Sequence, residues 1–358
     1  MRRIYMKKNI ANCLSTENIT VVDAMKKIQD NARGVLYIVD ENGKFLGSVT
    51  DGDIRRWVIQ TGNITGTVSM FLNRNAKCIM ESQRDIADNV LNTLGVRSLP
   101  IIDDNGFIKD IVFDEFYSSA GLNDCLKDVP IIIMAGGKGT RLYPYTKILP
   151  KPLIPIGEVP IIERIMNQFH KYGACDFYLV LNYKREMIKS YFMDQKLPYQ
   201  VEFVNEEEPL GTAGGIRLID RVFTSPVIVT NCDILIEADY EDIISCHKQL
   251  NNDMTIVSSL KNISIPYGVL ETGENGKVLS MREKPSIPTM VNTGMYIINP
   301  KFIDWIPEKE VFHMTQLAQK LIDSQKKVGM YPIDDNSFLD MGEFEEMKRM
   351  EKRLSDSR

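Results

Sequence analysis

The sequence predicts a larger α/β domain with a Rossmann-like mixed, mostly parallel sheet, preceded by a smaller α+β domain. The chain has 358 residues, which is too long for one typical hydrophobic core. Its first third contains an internal repeat, and beyond it short apolar runs alternate with helical stretches, the pattern of a sheet covered by helices on both faces. We therefore expect the smaller domain over residues 1–120, a linker over 121–128 and the larger domain over 129–358.

The composition is that of an ordinary globular protein, with 44% apolar and 25% charged residues. The formal charge of −5 gives no support for binding to nucleic acid or to an anionic membrane. No segment approaches the roughly 20 apolar residues that span a bilayer, and residues 1–8 lack the apolar core of a secretory signal. The six cysteines form no Cys-x-x-Cys pair, so we expect reduced thiols and a cytoplasmic location.

The internal repeat is the main feature of the first domain. Residues 36–43 (LYIVDENG) match residues 99–106 (LPIIDDNG) without gaps, sixty-three positions later. Apolar residues at helical spacing precede both copies, so each copy is predicted to form a helix, a strand, an Asn-Gly turn, a second strand and a second helix. Neither copy alone could cover both faces of so small a sheet, and we expect the two copies to pack together.

The segment at residues 47–56 (GSVTDGDIRR) gives this repeat its resemblance to a tandem of CBS motifs, named after cystathionine beta-synthase. In that family a threonine and the aspartate three residues later often contact the ribose of an adenosine nucleotide. The resemblance places Thr50 and Asp53 in these roles, with Arg55 available for phosphates near a helix start.

The second copy has Phe113 and Phe116 at the equivalent positions. Phenylalanine cannot accept a ribose hydrogen bond, so the resemblance implies one adenine nucleotide per pair, bound at the first copy. The alternative is local, because an aspartate at position 53 is also a good residue for a helix N-terminus. A scaffold or a homo-oligomer interface therefore stays open for this domain. The small and polar residues 118–124 (SSAGLND) indicate the linker.

A glycine-rich loop follows the apolar run at residues 130–133, which predicts a buried strand. Residues 134–153 have the sequence MAGGKGTRLYPYTKILPKPL. Three glycines in four positions bring bare backbone N–H groups together, as a loop that binds a polyphosphate requires. Arg141 and Lys151 are cations at fixed places in this run, and they can neutralise the phosphate charge that the glycines leave unbalanced.

This run resembles the signature of the sugar-1-phosphate nucleotidyltransferases, usually written Gly-Gly-x-Gly-Thr-Arg-Leu followed by Pro-Lys-Pro-Leu. Met134 and Tyr145 depart mildly from the commonest residues of that signature. Residues 208–215 (EPLGTAGG) resemble a second segment of the family, in which small residues let the backbone approach a base or a sugar closely. The resemblance implies a nucleotide-binding set in these two loops, consisting of Ala135, Gly136, Gly137, Gly139, Thr140, Pro209, Gly211 and Thr212.

The elements around these loops fit the α/β pattern. Residues 160–169 (PIIERIMNQF) place apolar side chains on one helix face, with Pro160 suited to the first turn and Gly173 to the stop. Residues 177–181 (FYLVL) and 226–230 (PVIVT) are predicted to be buried strands. Ligands of such sheets bind outside the carboxyl ends of the strands, where the glycine-rich loop is placed to meet one.

Two aspartates are candidates for a metal site. Asp233 falls just beyond the strand at 226–230, where a carboxylate can reach a bound magnesium ion without being desolvated in the core. Cys232 stands before it, where the family usually has the glycine of Asn-Gly-Asp. Residues 338–342 (FLDMG) resemble the family element that supplies a second acidic ligand, here Asp340. The resemblance thus implies Mg²⁺ as the cofactor.

Three later segments resemble the sugar side of the same family: residues 267–271 (YGVLE), 282–285 (REKP) and 292–297 (NTGMYI). In the family's Glu-Lys-Pro element the glutamate typically binds sugar hydroxyls and the lysine binds the sugar phosphate. The implied sugar-phosphate-binding set consists of Gly268, Glu283, Lys284, Asn292 and Thr293.

Nucleotidyl transfer suits this inventory of side chains. The attacking group is a phosphate oxygen that is already ionised at neutral pH, so no general base is needed and three histidines without a catalytic spacing are no obstacle. Arg141 would stabilise the departing phosphates and Lys151 the α-phosphate. The predicted reaction joins a nucleoside triphosphate, with GTP favoured, to a sugar 1-phosphate, giving an NDP-sugar and pyrophosphate.

The architecture is similar to that of the guanylyltransferases that bacteria use to activate glucosamine 1-phosphate toward legionaminic acid for surface glycans. Mannose- or heptose-1-phosphate guanylyltransferases and pyrimidine-specific enzymes using UTP, dTTP or CTP remain alternatives. A non-catalytic, nucleotide-binding regulatory subunit is disfavoured because the Arg, the Lys and both acidic positions are present. The loop lacks the Gly-Lys-Ser/Thr order of a kinase or NTPase loop. The amphipathic segment at 343–354 is followed by no hexapeptide repeats, which disfavours an acetyltransferase function.

Overall fold

The computed structural model describes residues 10–31, 33–114 and 124–356. The chain divides into two compact units, Met1–Gly121 and Leu122–Arg358. No helix within the described ranges is long and apolar enough to cross a membrane. Phe116, the helix predicted to follow it and residues 121–123 of the predicted linker lie outside the described residues.

The first unit contains two copies of one α+β pattern. In each copy a short strand runs parallel to a second strand, which pairs in antiparallel fashion with a third. The first copy consists of β1 (Leu14–Thr16), α1 (Val21–Asn31), β2 (Val35–Val39), β3 (Phe45–Thr50) and α2 (Asp51–Thr61). The second copy consists of β4 (Ile79–Met80), α3 (Ala87–Leu94), β5 (Ser98–Ile102) and β6 (Ile108–Phe113).

The hairpin turn of each copy is built by an aspartate. Asp40 Oδ1 accepts hydrogen bonds from the backbone N–H groups of Asn42 and Lys44 at 2.9 and 2.8 Å. Asp103 makes the two equivalent bonds in the second copy, each at 2.9 Å. Gly43 takes the positive φ that the turn needs (+86°), whereas Asn42 does not take one. The predicted turn is confirmed. The aspartate carboxylate holds it, and the asparagine does not take the left-handed conformation that the Asn-Gly pair suggests.

The two copies pack against one another, as predicted. Val35 and Tyr37 of the first copy share a buried apolar cluster with Ile111 of the second copy and with Cys13. The Tyr37 hydroxyl lies 2.7 Å from Ser98 Oγ. Burial raises the pKa of Tyr37 far above its usual value, so the phenol stays neutral in this core.

The second unit is built on a sheet of seven strands with three small two-stranded ladders around it. Its strands are β7 (Ile131–Met134), β8 (Pro155–Ile156), β9 (Val159–Pro160), β10 (Asp176–Leu181), β11 (Gln200–Asn205), β12 (Val227–Asn231), β13 (Ile234–Ile236), β14 (Met254–Ser264), β15 (Val269–Thr272), β16 (Val278–Arg282), β17 (Ser286–Ile298), β18 (Val328–Ile333) and β19 (Phe338–Asp340). Its helices are α4 (Tyr145–Ile148), α5 (Ile161–His170), α6 (Arg185–Met193), α7 (Tyr240–Gln249), α8 (Met314–Asp323) and α9 (Phe344–Asp356).

The order of the large sheet is β11-β10-β7-β12-β17-β14-β18. The first four strands run parallel to one another, β17 is antiparallel to both of its neighbours, and β18 runs parallel to β14. The predicted mixed, mostly parallel sheet is therefore confirmed. Because β7, β10 and β12 are parallel, their carboxyl ends meet at one edge, and the chain leaves each of them there in a loop.

Helix α5 shows how sequence patterning sets the layers of this unit. Ile161, Ile165, Met166 and Phe169 are all at most 2% exposed, and they form the face that the sequence predicts to be apolar. Pro160 occupies the N-cap position, where its missing N–H costs nothing. The helix therefore begins as predicted and buries its apolar face.

Candidate active site

A cavity of about 360 Å³ lies at the carboxyl ends of β7 and β12. Seven of the eight predicted nucleotide-binding residues line it: Gly136, Gly137, Gly139, Thr140, Pro209, Gly211 and Thr212. Arg141, Lys151 and Asp233 line it as well. Ala135 is the exception, because it is 1% exposed and its N–H extends the sheet by donating to Val180 O at 2.8 Å. The structure thus gathers three separate sequence motifs around one space.

The glycine-rich loop is packed too closely for side chains. Gly139 has φ +63°, and a Cβ added there would lie 2.8 Å from Thr146 Cγ2 and 3.1 Å from Lys151 Cβ. Its neighbours Thr146 and Lys151 are 4% and 8% exposed, so neither can readily yield space. This packing fixes the path of the loop and brings the Lys151 side chain to the cavity.

Lys151 is paired with Asp233 at the cavity. The ammonium donates to Asp233 Oδ2, and both side chains are largely buried. Each charge is compensated by the other, which allows a charged pair to persist in a partly dehydrated site. A triphosphate and a metal ion entering the cavity would give each partner a new counter-ion.

Asp340, the last residue of β19, lies beside Asp233, which directly precedes β13. Ile234 of β13 pairs with Asp340 of β19, and Met341 N–H donates to Asp233 O at 2.8 Å. Burial, and then the charge of Asp233, raise the pKa of Asp340, while Lys151 and Arg141 oppose the shift. The two predicted metal ligands are therefore adjacent, and their mutual repulsion is what a bound cation would relieve.

The donor set fits a magnesium ion. Within the described ranges no group of three or more His, Cys, Asp or Glu side chains is placed to hold a metal. Mg²⁺ is usually held by one or two carboxylates together with substrate phosphates and water rather than by a full protein cage. Asp233 and Asp340 would supply such a pair of oxygen ligands beside the glycine-rich loop.

Cys232 is accommodated between the end of β12 and Asp233. It is 7% exposed, and its N–H donates to Met134 O at 3.2 Å. Burial raises the pKa of Cys232 to about 12, and the charge of Asp233 adds to the shift, so the thiol is neutral. A small neutral side chain at this position leaves both carboxylates in place.

Glu206 is a site residue that sequence reasoning did not assign. It lines the cavity, is 3% exposed, and its buried Oε1 has no hydrogen-bond partner within the described part of the chain. Burial raises the pKa of Glu206 to about 7, with an opposing hydrogen bond from the Leu210 backbone. Glycines make room for it, because a Cβ at Gly136 or Gly215 would lie 2.8 or 2.3 Å from its carboxylate oxygens. An unpaired buried acceptor at a cavity is costly, which points to a ligand donor group.

The predicted sugar-side residues lie apart from the cavity lining. Gly268 and Glu283 face each other on an exposed arm formed by β15, β16 and the outer halves of β14 and β17, and a Cβ at Gly268 would lie 3.1 Å from Glu283 Oε2. Lys284 is anchored there by its N–H, which donates to Tyr267 O at 3.2 Å. Gly268 and Glu283 therefore come together, but on this arm.

Asn292 and Thr293 are placed differently from one another. Asn292 is exposed and its amide donates to the Tyr296 hydroxyl at 2.6 Å. Thr293 is 3% exposed and its hydroxyl donates to Val257 O at 2.7 Å. The alternation of β17 turns the Thr293 side chain into the sheet core, so as placed it offers a sugar only its backbone.

In the first unit Thr50 and Asp53 bond to each other. Thr50 Oγ1 accepts from Asp53 N–H at 3.2 Å, and the Asp53 carboxylate accepts from Thr50 N–H at 2.9 Å, a capping box at the start of α2. Arg55 is paired with Asp51. The local alternative is thus realised, and ribose binding at these residues stays a prediction. Phe113, the matching position of the second copy, has the Arg33 guanidinium 4.5 Å above its ring.

The chain belongs to the nucleotidyl transferase family, whose sequence model matches residues 131–357. The CBS domain model matches residues 5–60, which comprise the first copy of the repeat. Both predicted family resemblances and the predicted fold class are confirmed by these matches. For the second copy, the CBS interpretation continues to rest on the repeat and on its strand order.

Two curated relatives are sugar-1-phosphate nucleotidyltransferases. The UTP–glucose-1-phosphate uridylyltransferase of Synechocystis sp. is 32% identical over 213 residues, which cover 54% of this chain and 55% of that protein. The mannose-1-phosphate guanyltransferase of Debaryomyces hansenii is 32% identical over 222 residues, which cover 59% of this chain and 60% of that protein. The chain thus spans about 55 to 60% of the length of these two relatives. The crystal structure of HddC from Yersinia pseudotuberculosis is 28% identical with a TM-score of 0.50, covering 63% of this chain and 99% of that chain.

Proposed function

We propose that this protein transfers a nucleotidyl group from a nucleoside triphosphate to a sugar 1-phosphate and releases pyrophosphate. The observation that carries the proposal is that Arg141, Lys151 and Asp233 line one cavity together with glycine-rich loops, while Asp340 lies next to Gly342 of that lining. We favour GTP as the donor and glucosamine 1-phosphate as the acceptor, in surface glycan synthesis of the legionaminic acid type. A mannose- or heptose-1-phosphate enzyme and a pyrimidine-specific enzyme are the alternatives.

The residues of the cavity have different roles, which follow from their charges. Backbone N–H groups of the glycine loop bind the triphosphate, and Arg141 neutralises the phosphates that depart. Lys151, held at the cavity by its pairing with Asp233, stabilises charge that develops at the α-phosphate. Asp233 and Asp340 would hold Mg²⁺, which supplies charge neutralisation between nucleotide and sugar phosphate when bound. The sugar phosphate oxygen is already ionised, so positioning and charge stabilisation account for the chemistry.

Glu206 supports GTP over UTP and dTTP. The guanine edge presents two adjacent donors, N1–H and N2–H₂, which match the two oxygens of a carboxylate. Uracil and thymine present one donor between two carbonyl oxygens, and those oxygens would face the Glu206 charge. A buried carboxylate with an unpartnered oxygen at the cavity is therefore better suited to guanine. The curated relatives include enzymes for mannose 1-phosphate and for glucose 1-phosphate, so the sugar is assigned by resemblance alone.

A screen of pyrophosphate release tests the donor and the acceptor together. Each nucleoside triphosphate is combined with glucosamine-, N-acetylglucosamine-, glucose- and mannose-1-phosphate in the presence of Mg²⁺. The proposal expects release only when both substrates are present, with GTP as the preferred donor. Tight nucleotide binding without turnover in every combination would instead support the regulatory-subunit alternative.

Replacing Glu206 is expected to change both donor choice and stability. Glu206→Gln removes one acceptor and should raise the KM for GTP relative to that for UTP. Because the pKa of Glu206 is raised to about 7 in the folded protein, the neutral form stabilises the fold, and this contribution is lost as the pH rises from 4.5 through about 7. Without ligand, Glu206→Gln should therefore gain stability over wild type at pH 8 but not at pH 4.5, by up to roughly 3 kcal/mol.

The matched control for that substitution is Glu208→Gln. Glu208 is exposed two positions away on the same segment, so its substitution should leave the pH dependence of thermal unfolding and the donor preference as in wild type. Equal pH profiles for wild type and Glu206→Gln would show that the Glu206 carboxyl is not held in a dehydrated site.

For the first unit we propose one adenine nucleotide per chain, bound at Thr50, Asp53 and Arg55. Titration calorimetry on the full chain with AMP, ADP and ATP should show one such site in addition to any donor binding. Thr50→Ala with Asp53→Ala should abolish it. Thr20→Ala with Asp23→Ala is the matched control, because the Thr20 hydroxyl donates to Asp23 Oδ2 and accepts from Asp23 N–H at the start of α1. Equal binding by both double variants would leave the repeat as a scaffold.

A further inference from the structure

Residues 182–185, which form the turn between β10 and α6 together with the first residue of α6, touch both loops that line the cavity. On one side its contacts reach the glycine-rich loop and α4, and on the other side they reach the segment that carries Glu206. None of its four residues belongs to a sequence motif of the predicted site. We call this segment the β10–α6 turn.

Lys184 makes the strongest of these contacts. Its Nζ donates to the carbonyl oxygens of Lys147 at 2.6 Å, Ile148 at 2.8 Å and Thr146 at 3.3 Å. These carbonyls lie in α4, whose last turn has no helical partners for them. A cation at a helix C-terminus satisfies such groups and is favoured by the helix dipole.

The clamped helix is connected directly to the phosphate-binding residues. Thr146 is buried under the glycine loop, and its methyl group occupies the space beside Gly139. Lys151 follows Ile148 by three residues and also packs against Gly139. A displacement of α4 would therefore move both the loop and the Lys151 ammonium.

Apolar burial gives α4 little support of its own. Tyr143, Tyr145 and Ile148 are 64%, 51% and 74% exposed. Besides buried Thr146, the helix has a ring contact between Tyr145 and Phe344 at 5.4 Å. A short segment with so few buried apolar contacts depends on its polar contacts for order.

The other residues of the turn contact the segment that carries Glu206 and the glycine-rich loop. Asn182 Nδ2 donates to Glu206 O at 2.9 Å, and Arg185 Nη1 donates to Glu207 Oε1 at 3.0 Å. Tyr183 N–H donates to Gly136 O at 3.3 Å. Lys184 itself has φ +52°, a left-handed conformation that costs a lysine energy that glycine would not lose. The side-chain clamp offsets that cost.

We propose that Lys184 is a positioning residue. By donating hydrogen bonds to the carbonyl groups at the C-terminal end of α4, it fixes the positions of the phosphate-binding loop and of Lys151. Through the β10–α6 turn, Lys184 also connects the glycine-rich loop to the segment that carries Glu206. The expected effect of Lys184 on turnover rests on the proposed function, whereas its effect on the order of residues 143–151 is independent of any reaction.

The test uses the full chain with Lys184→Met, Lys184→Arg and, as control, Lys189→Met. Lys189 lies on α6 and pairs with Glu186 at 3.2 Å, away from α4. Amide hydrogen exchange is measured without ligands, and kcat and KM are measured with the substrates that wild type accepts. We expect Lys184→Met to speed exchange in residues 143–151 and to lower kcat by about tenfold to a hundredfold, as small misplacements do. The KM for the sugar 1-phosphate should change little, and Lys184→Arg should restore most of kcat.

Unchanged exchange in residues 143–151 together with a wild-type kcat for Lys184→Met would overturn the proposal. So would an equal loss of kcat in Lys184→Met and Lys189→Met, because that pattern indicates general destabilisation. If wild type itself shows no turnover, the proposed function fails, and the exchange experiment still decides whether Lys184 orders the loop.

Discussion

Asp233→Asn and Asp340→Asn are each expected to lower the turnover at least about a hundredfold, the scale seen when an electrostatic catalytic element is removed. Asp233 lines the cavity just before β13, Asp340 is the last residue of the neighbouring strand β19, and Asp233 also pairs with Lys151. Each substitution would leave Mg²⁺ with one protein ligand, and Asp233→Asn would in addition leave the Lys151 charge unpaired. The measurement is steady-state pyrophosphate release across a range of Mg²⁺ concentrations.

Asp220→Asn, at an exposed position of the same unit, is the control and should retain wild-type turnover. Thermal unfolding without metal separates chemistry from folding. Because burial and the charge of Asp233 raise the pKa of Asp340, Asp340→Asn should not lower the unfolding temperature when Mg²⁺ is absent. Wild-type turnover in either variant would remove that residue from the metal site.

Arg141→Lys is expected to lose nearly as much turnover as Arg141→Ala, again about a hundredfold or more. Arg141 lines the cavity near Gly342 and Asp340, where a planar fork can contact two phosphate oxygens at once. The lysine ammonium is a point charge and cannot reproduce that bidentate contact. The measurement is kcat for both variants under saturating donor and acceptor.

Arg349→Lys is the matched control for this pair, since Arg349 is an exposed arginine on α9 and its substitution should leave kcat unchanged. Recovery of most of the wild-type kcat by Arg141→Lys would mean that Arg141 contributes charge alone. The two-point phosphate grip would then be wrong.

The sequence was sufficient to predict the parts of the site that depend on local geometry. The glycine loop, Arg141 and Lys151 lie in one continuous run of sequence, so their relative positions could be predicted without knowledge of distant segments. The buried strands that end at the cavity could be predicted from apolar runs. Asp233 and Asp340 were predicted through family resemblance, and strand pairing brings them together.

Other features depend on contacts between distant segments, which a single sequence does not reveal. Glu206 sits in a row of three glutamates that resembles a solvated turn, and its burial depends on glycines at positions 136 and 215. Lys184 is unremarkable in sequence because its partners are carbonyl groups, which every residue carries. The resemblance places Thr293 at the sugar, but the alternation of β17 directs its side chain into the core.

Thr50 and Asp53 show a different limit. The same two residue types serve a capping box and a ribose contact, so their spacing is compatible with both roles. The structure shows the capping box, and ligand binding is a question for calorimetry.

An isotope experiment tests the central claim that a sugar phosphate oxygen attacks the α-phosphorus in this cavity. A sugar 1-phosphate carrying ¹⁸O in its phosphate group is incubated with unlabelled GTP, Mg²⁺ and the full chain, and the products are analysed by mass spectrometry. Nucleotidyl transfer predicts that all of the label is found in the NDP-sugar and none in the pyrophosphate. Label in pyrophosphate or free phosphate, or GMP and pyrophosphate formed without the sugar, would contradict it.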